Sequence, residues 1–163
     1  MESSLVATLA ELLPVIGICI LKSIKENNIS YTEKVVCLHI NRDMDEPYSW
    51  SVDSNIVKTN KYIDECINNS KIVSYKHEKG FLRHLFPIND DSQAVECLVI
   101  DSNDKLSDHM GLIEGFAKIY ENYMIVFNES ERNKLTGLFN RRTFDNKLSI
   151  ESFFSIKTDK VFC

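Results

Sequence analysis

The sequence predicts an α+β fold built on an antiparallel sheet. Apolar runs rich in β-branched residues, each bounded by turn chemistry, recur between Val15 and Ile100, as buried strands do. The first two runs are separated only by the polar segment around Asn27-Asn28 and Ser30, short enough to join antiparallel neighbours. Segments with helical spacing stand before, among and after the runs. At 163 residues, 44% hydrophobic and 26% charged, the chain has material for one domain with its own core and an appendage. A net charge of -5 and a pI near 5.4 offer no electrostatic footprint for nucleic acid or an anionic membrane, and neither partner is expected.

Taken in order, Ser3 or Ser4 can cap a first helix with Leu5, Leu9, Leu12 and Leu13 on one face, and Pro14 ends it. Val15 to Leu21 reads as a buried helix or a buried strand on periodicity alone; its β-branched content and the Pro14 boundary favour a strand. Lys34 to Ile40 is a second strand. The polar stretch Asn41 to Ser54 carries Tyr48 and Trp50 in a short edge strand or a loop over the sheet. Thr59 or Asn60 begins a helix with Tyr62, Ile63, Cys66 and Ile67 at helical spacing, ending at Asn68-Asn69. Three more strands follow, Lys71 to Tyr75, Phe81 to Ile88 and Ala94 to Ile100, giving five or six in all. Ser107 then caps a helix from Asp108 to about Glu131, roughly 36 Å long at 1.5 Å per residue. Its apolar stripe is wide: Ile113, Phe116, Tyr120, Tyr123, Met124 and Phe127, with Leu112, Ile119 and Val126 beside them. Such a width can cover a sheet and still face another helix, so a parallel homodimer through the first helix and this one is expected, with Leu112, Ile119, Tyr123 and Val126 at the interface. A core of Phe116, Tyr120, Ile100, Leu98, Ile18 and Val36 follows.

The five cysteines, at 19, 37, 66, 97 and 163, are odd in number, scattered and set among apolar residues. That distribution suits free thiols in a reduced, cytoplasmic compartment better than a disulfide framework. Cys37, Cys66 and Cys97 either line a common pocket or serve as small buried hydrophobes. His39, His77, His84 and His109 lack metal-ligand spacing, so no metal site is expected. Tyr48, Trp50, Tyr75, Phe81 and Arg83 combine aromatics with one charge, a composition shared by ligand pockets and by ordinary sheet packing. An unidentified small-molecule ligand is the partner such a pocket would take. The longest apolar run, Leu12 to Leu21, is about half of what crosses a bilayer, so no membrane span is expected.

The most specific stretch is Asn133 to Leu148. Gly137 supplies a permissive turn, Asn140 can cap a helix, and Phe144 and Leu148 share its inner face. The run Leu135-Thr136-Gly137-Leu138-Phe139-Asn140-Arg141-Arg142, with Phe144, resembles the opening segment of the GGDEF family, the diguanylate cyclases. In that family GTP and Mg are held further along, by aspartates and a Gly-Gly-Asp-Glu-Phe loop that do not occur before Cys163. The expectation is therefore that these residues hold no catalytic group and make no cyclic di-GMP. Residues 1 to 130 resemble, in element order, the GAF family of sensor domains, and 131 to 163 the start of a GGDEF domain. The GAF resemblance implies first and last helices packed on one face of the sheet and the middle helix near a pocket on the other. Together the two resemblances imply the sensory and dimerisation module of a bacterial diguanylate cyclase. Two alternatives stay open: a small thiol enzyme on the same fold, similar to the free methionine sulfoxide reductases, and a degenerate GAF domain that only pairs subunits.

Overall fold

The structure, a computed structural model, describes residues 1–51, 53–90 and 93–131. The GGDEF-like residues Leu135 to Phe144 and Cys163 lie outside them. Helix α1 (Glu2–Leu12) buries Leu5, Val6, Leu9 and Ala10. Leu12 is instead 52% exposed, because the buried arc is turned toward Val6 and Ala10 and away from Leu12. The helix ends as Leu13 turns to extended backbone ahead of Pro14. The Arg42 guanidinium donates to the carbonyls of Ala10 and Leu13, at 3.0 and 3.1 Å, and satisfies that end.

Strands β1 (Gly17–Glu26) and β2 (Ile29–Ile40) form the expected hairpin. Asn27 and Asn28 both have positive φ, 51° and 63°, which a two-residue turn matched to strand twist demands and asparagine tolerates. Both strands run longer than their apolar stretches, since the ladder continues from Leu21 to Glu26 through half-buried and exposed residues. Strand β3 (Tyr48–Ser51) pairs with one end of β2, and the short β4 (Ile56–Lys58), not anticipated from sequence, pairs with its other end. Helix α2 (Lys61–Asn69) starts where the Asn60 side chain accepts from the N–H groups of Tyr62 and Ile63, both at 3.0 Å, and stops at left-handed Ser70.

Strands β5 (Val73–Lys76), β6 (Leu82–Asp90) and β7 (Gln93–Ser102) complete a seven-stranded antiparallel sheet in the order β3-β2-β1-β7-β6-β5, with β4 beside β2. The sheet thus has one strand more than the upper end of the expected range. A single 3-10 turn (Ser107–His109) leads into α3 (Met110–Glu131). Ser107 therefore sits inside this turn and makes no capping bond; Leu106 precedes it.

Period-two alternation separates two faces. Cys97 and Val99 of β7 pack with Leu85, Val73 and, from α2, Cys66 and Ile67. Their neighbours Leu98 and Ile100 point oppositely, with buried Phe86 and Ile88 of β6 and Ile18 and Ile20 of β1, to the face that α1 and α3 cover. Toward that face α3 buries Ile113, Ala117 and Tyr120. Phe116 is only half-buried, so Tyr120 rather than Phe116 is the helix's core aromatic. The chain divides into two compact units, Met1–Asn122 and Tyr123–Cys163. In the second, the described residues are the last turns of α3, where Tyr123 stacks on Phe127 at 5.7 Å.

Candidate functional site

The strand order separates the five residues of the candidate pocket. Tyr48 and Trp50 lie on β3, opposite Ile40 and Leu38 at one edge of the sheet, while Tyr75 and Arg83 pair across β5 and β6 at the other. Phe81 stands just before β6 and joins the second group, its ring 5.4 Å from the Arg83 guanidinium carbon and 4.4 Å from that of His77. Two clefts of about 160 and 320 Å³ lie elsewhere. The smaller is lined by Phe86, Pro87 and α3 residues including Glu114 and Lys118, the larger by residues such as Ser23, Lys25, Asn68 and Gln93. None of the five residues lines either.

What the β5–β6 edge does assemble is a polar cluster. Arg83 meets Asp101 in a two-point ion pair, Nε to Oδ1 at 2.7 Å and Nη2 to Oδ2 at 2.8 Å. The Asp101 carboxylate raises the arginine's pKa, against burial, with Tyr75 adding to it. Tyr75 in turn stacks on Tyr62 of α2, ring centres 3.8 Å apart. Arg83 is thereby committed to neighbours within the fold, and its planar fork ties β6 to β7.

On the opposite face, His84 is held between Ser74 Oγ at 2.9 Å from Nδ1 and Ser102 Oγ at 3.4 Å from Nε2. Burial lowers its pKa although Asp101 acts to raise it. Among the described residues no group of three or more His, Cys, Asp or Glu side chains is placed to hold a metal ion. Glu96, absent from every sequence-based candidate, is 3% exposed, with Oε2 lacking a hydrogen-bond partner. Burial pushes its carboxyl up to about 7; the Tyr120 hydroxyl and Lys22 favour the charged form and Glu2 opposes it. Its position in the β7 alternation, opposite Lys22 on β1, is the signal for this group, and it becomes readable only once the register is known.

The cysteines depart from the expectation of free thiols. Cys19 and Cys37, directly opposite on β1 and β2, form a disulfide, because the hairpin brings together residues 18 apart in sequence. Cys66 and Cys97 are free and fully buried, their sulfurs 3.9 Å apart. The contact with Cys66 and burial both push the Cys97 thiol well up.

Of the residues expected at a dimer interface, Leu112 and Ile119 in the first unit are 40% and 54% exposed. In the second unit Val126 is 65% exposed and Tyr123 half-buried. With Phe116 they read 112, 116, 119, 123, 126, the alternating four-three spacing of a two-helix seam. Among the described residues no helix is long and apolar enough to cross a membrane. No protein-family model matches the chain, and no curated protein matches it.

Proposed function

We propose that residues 1–131 form the sensory and dimerisation module of a signalling protein, a GAF-like domain. Its helix α3 transmits the state of the sheet into a following segment that resembles the start of a diguanylate cyclase domain. The observation that carries this reading is the double-sided character of α3. Within the first unit it buries Ile113, Ala117 and Tyr120 while Leu112 and Ile119 stay in water, and the sequence repeats that seven-residue interval at Val126, which is also exposed. Pairing two copies along that seam removes the exposed apolar surface and sets the geometry of whatever follows Glu131. Control of cyclic di-GMP synthesis, GTP and Mg belong to a complete GGDEF domain, and the module itself is regulatory and non-catalytic.

The buried thiols count against a thiol enzyme on this fold. Attack on a substrate needs a reachable thiolate, whereas Cys66 and Cys97 are sealed and the Cys97 thiol is pushed up. Light scattering at tens of micromolar protein tests the reading. A dimer is expected, and Ile119→Glu should convert it to a folded monomer; a wild-type monomer at that concentration overturns the proposal.

A further inference from the structure

The cysteines at 19, 37, 66 and 97 stand in a file across the sheet, on the face that carries α2. Cys37 is opposite Cys19, with Cα atoms 4.1 Å apart. Cys19 is opposite Val99 of β7, and alternation puts Cys97 on the same face one diagonal step away. Diagonal neighbours lie about 7–8 Å apart, with side chains closer, and Cys19 packs against the cluster that contains both Cys66 and Cys97. Cys97 in turn has its sulfur 3.9 Å from that of Cys66 on α2. Each member therefore neighbours the next, from β2 through β1 and β7 to α2.

We infer that this file is an internal dithiol–disulfide switch, in which the bond exchanges between Cys19–Cys37 and Cys66–Cys97. In the first step the Cys97 thiol gives up its proton and its sulfur attacks Cys19 Sγ. A Cys19–Cys97 bond forms, the Cys19–Cys37 bond breaks, and Cys37 leaves as a thiolate that takes up a proton. In the second step Cys66 loses its proton and attacks Cys97 Sγ, so that Cys66–Cys97 forms and Cys19 leaves and is protonated. Two thiols and one disulfide are present before and after, and no outside oxidant or reductant is consumed.

The two states differ in what they fasten. A Cys19–Cys37 bond joins strands that the ladder already aligns, whereas a Cys66–Cys97 bond ties the nine-residue helix α2 to β7. Burial of the attacking thiol makes the exchange slow, on the minutes-to-hours scale of uncatalysed disulfide rearrangement. Cys19, half-buried where the other three are buried, is the member nearest to solvent. The inference is independent of how α3 is used, since the exchange is internal to one chain.

The test is peptide mapping of the native full chain, held at pH 7, 8 and 9, quenched in acid and alkylated before digestion. Wild-type protein should yield both Cys19–Cys37 and Cys66–Cys97 peptides. In Cys66→Ser, where the second step is blocked, a Cys19–Cys97 bond should accumulate with Cys37 alkylated. Its formation should quicken about tenfold per pH unit below the thiol pKa and not depend on protein concentration. Finding only Cys19–Cys37 at every pH, no disulfide at all, bonds to Cys163, or a rate that scales with concentration overturns the switch. The wild-type arm contains no substitution, so a folding defect in the variant does not shield the idea.

Discussion

Glu96 shows how a single side chain sets a pH dependence for the whole domain. The folded protein holds this proton more tightly than the unfolded chain does, because burial raises the carboxyl to about 7. Its contribution to stability is thus complete below the ordinary carboxylate range and is lost as pH rises through about 7. From the ordinary carboxylate value to about 7, the loss is on the order of 3 kcal/mol. Two other groups act in the opposite sense. Burial lowers His84, which costs stability as pH falls into its range. Burial would raise Glu121, but the N–H groups of Asn89 and the Lys118 ammonium outweigh it and hold the carboxyl low, so its contribution is lost in acid. The difference between wild type and Glu96→Gln isolates the first effect. Urea midpoints from pH 5 to 8 should fall in wild type relative to the variant, and a difference that stays flat across this range removes the assignment.

At the scale of elements, α2 and α3 depend on different kinds of contact. Helix α2 is short, and its first turn is closed by one side chain, Asn60, accepting from two backbone N–H groups. Asn60→Ala should cost about 1 kcal/mol, read as a lower urea midpoint, whereas Asn60→Ser should recover most of it. Helix α3 depends on burial instead. Tyr120 is fully buried against the sheet and Phe116 stands half-out. Tyr120→Ala should then cost about 3–5 kcal/mol and Phe116→Ala markedly less. Equal losses at the two positions would mean that a different face of the helix is buried.

For the molecule entire, the proposed pairing is tested by its orientation as well as by its existence. In a parallel seam Val126 meets its own copy near the two-fold axis; in an antiparallel one it meets Leu112. Val126→Glu alone should dissociate the dimer. Mixing Val126→Glu chains with Val126→Lys chains should restore it only in the parallel arrangement, while Val126→Glu with Leu112→Lys restores the antiparallel one. Light scattering reads both. The 163 residues contain no Gly-Gly-Asp-Glu-Phe run, so incubation with GTP and Mg should yield no cyclic di-GMP above a protein-free control. Product formation would remove the regulatory reading.

Features whose causes lie within a few residues were legible in the sequence. The stop at Pro14, the positive-φ turn at Asn27-Asn28, the Asn60 cap and the apolar runs that became β1, β2, β6 and β7 all belong to this class. Strand β4 escaped because three residues show no period among polar neighbours. Which strands became neighbours was set by packing in three dimensions. Placing β7 between β1 and β6 sent Tyr48 and Trp50 to one edge and Tyr75, Phe81 and Arg83 to the other, although the composition of all five had left a common pocket open. The same register set Cys19 against Cys37 and buried Glu96. Local windows encode which residues prefer a buried face, but pairing across the sheet follows from closing one core with every strand at once, and separation along the chain carries no record of it.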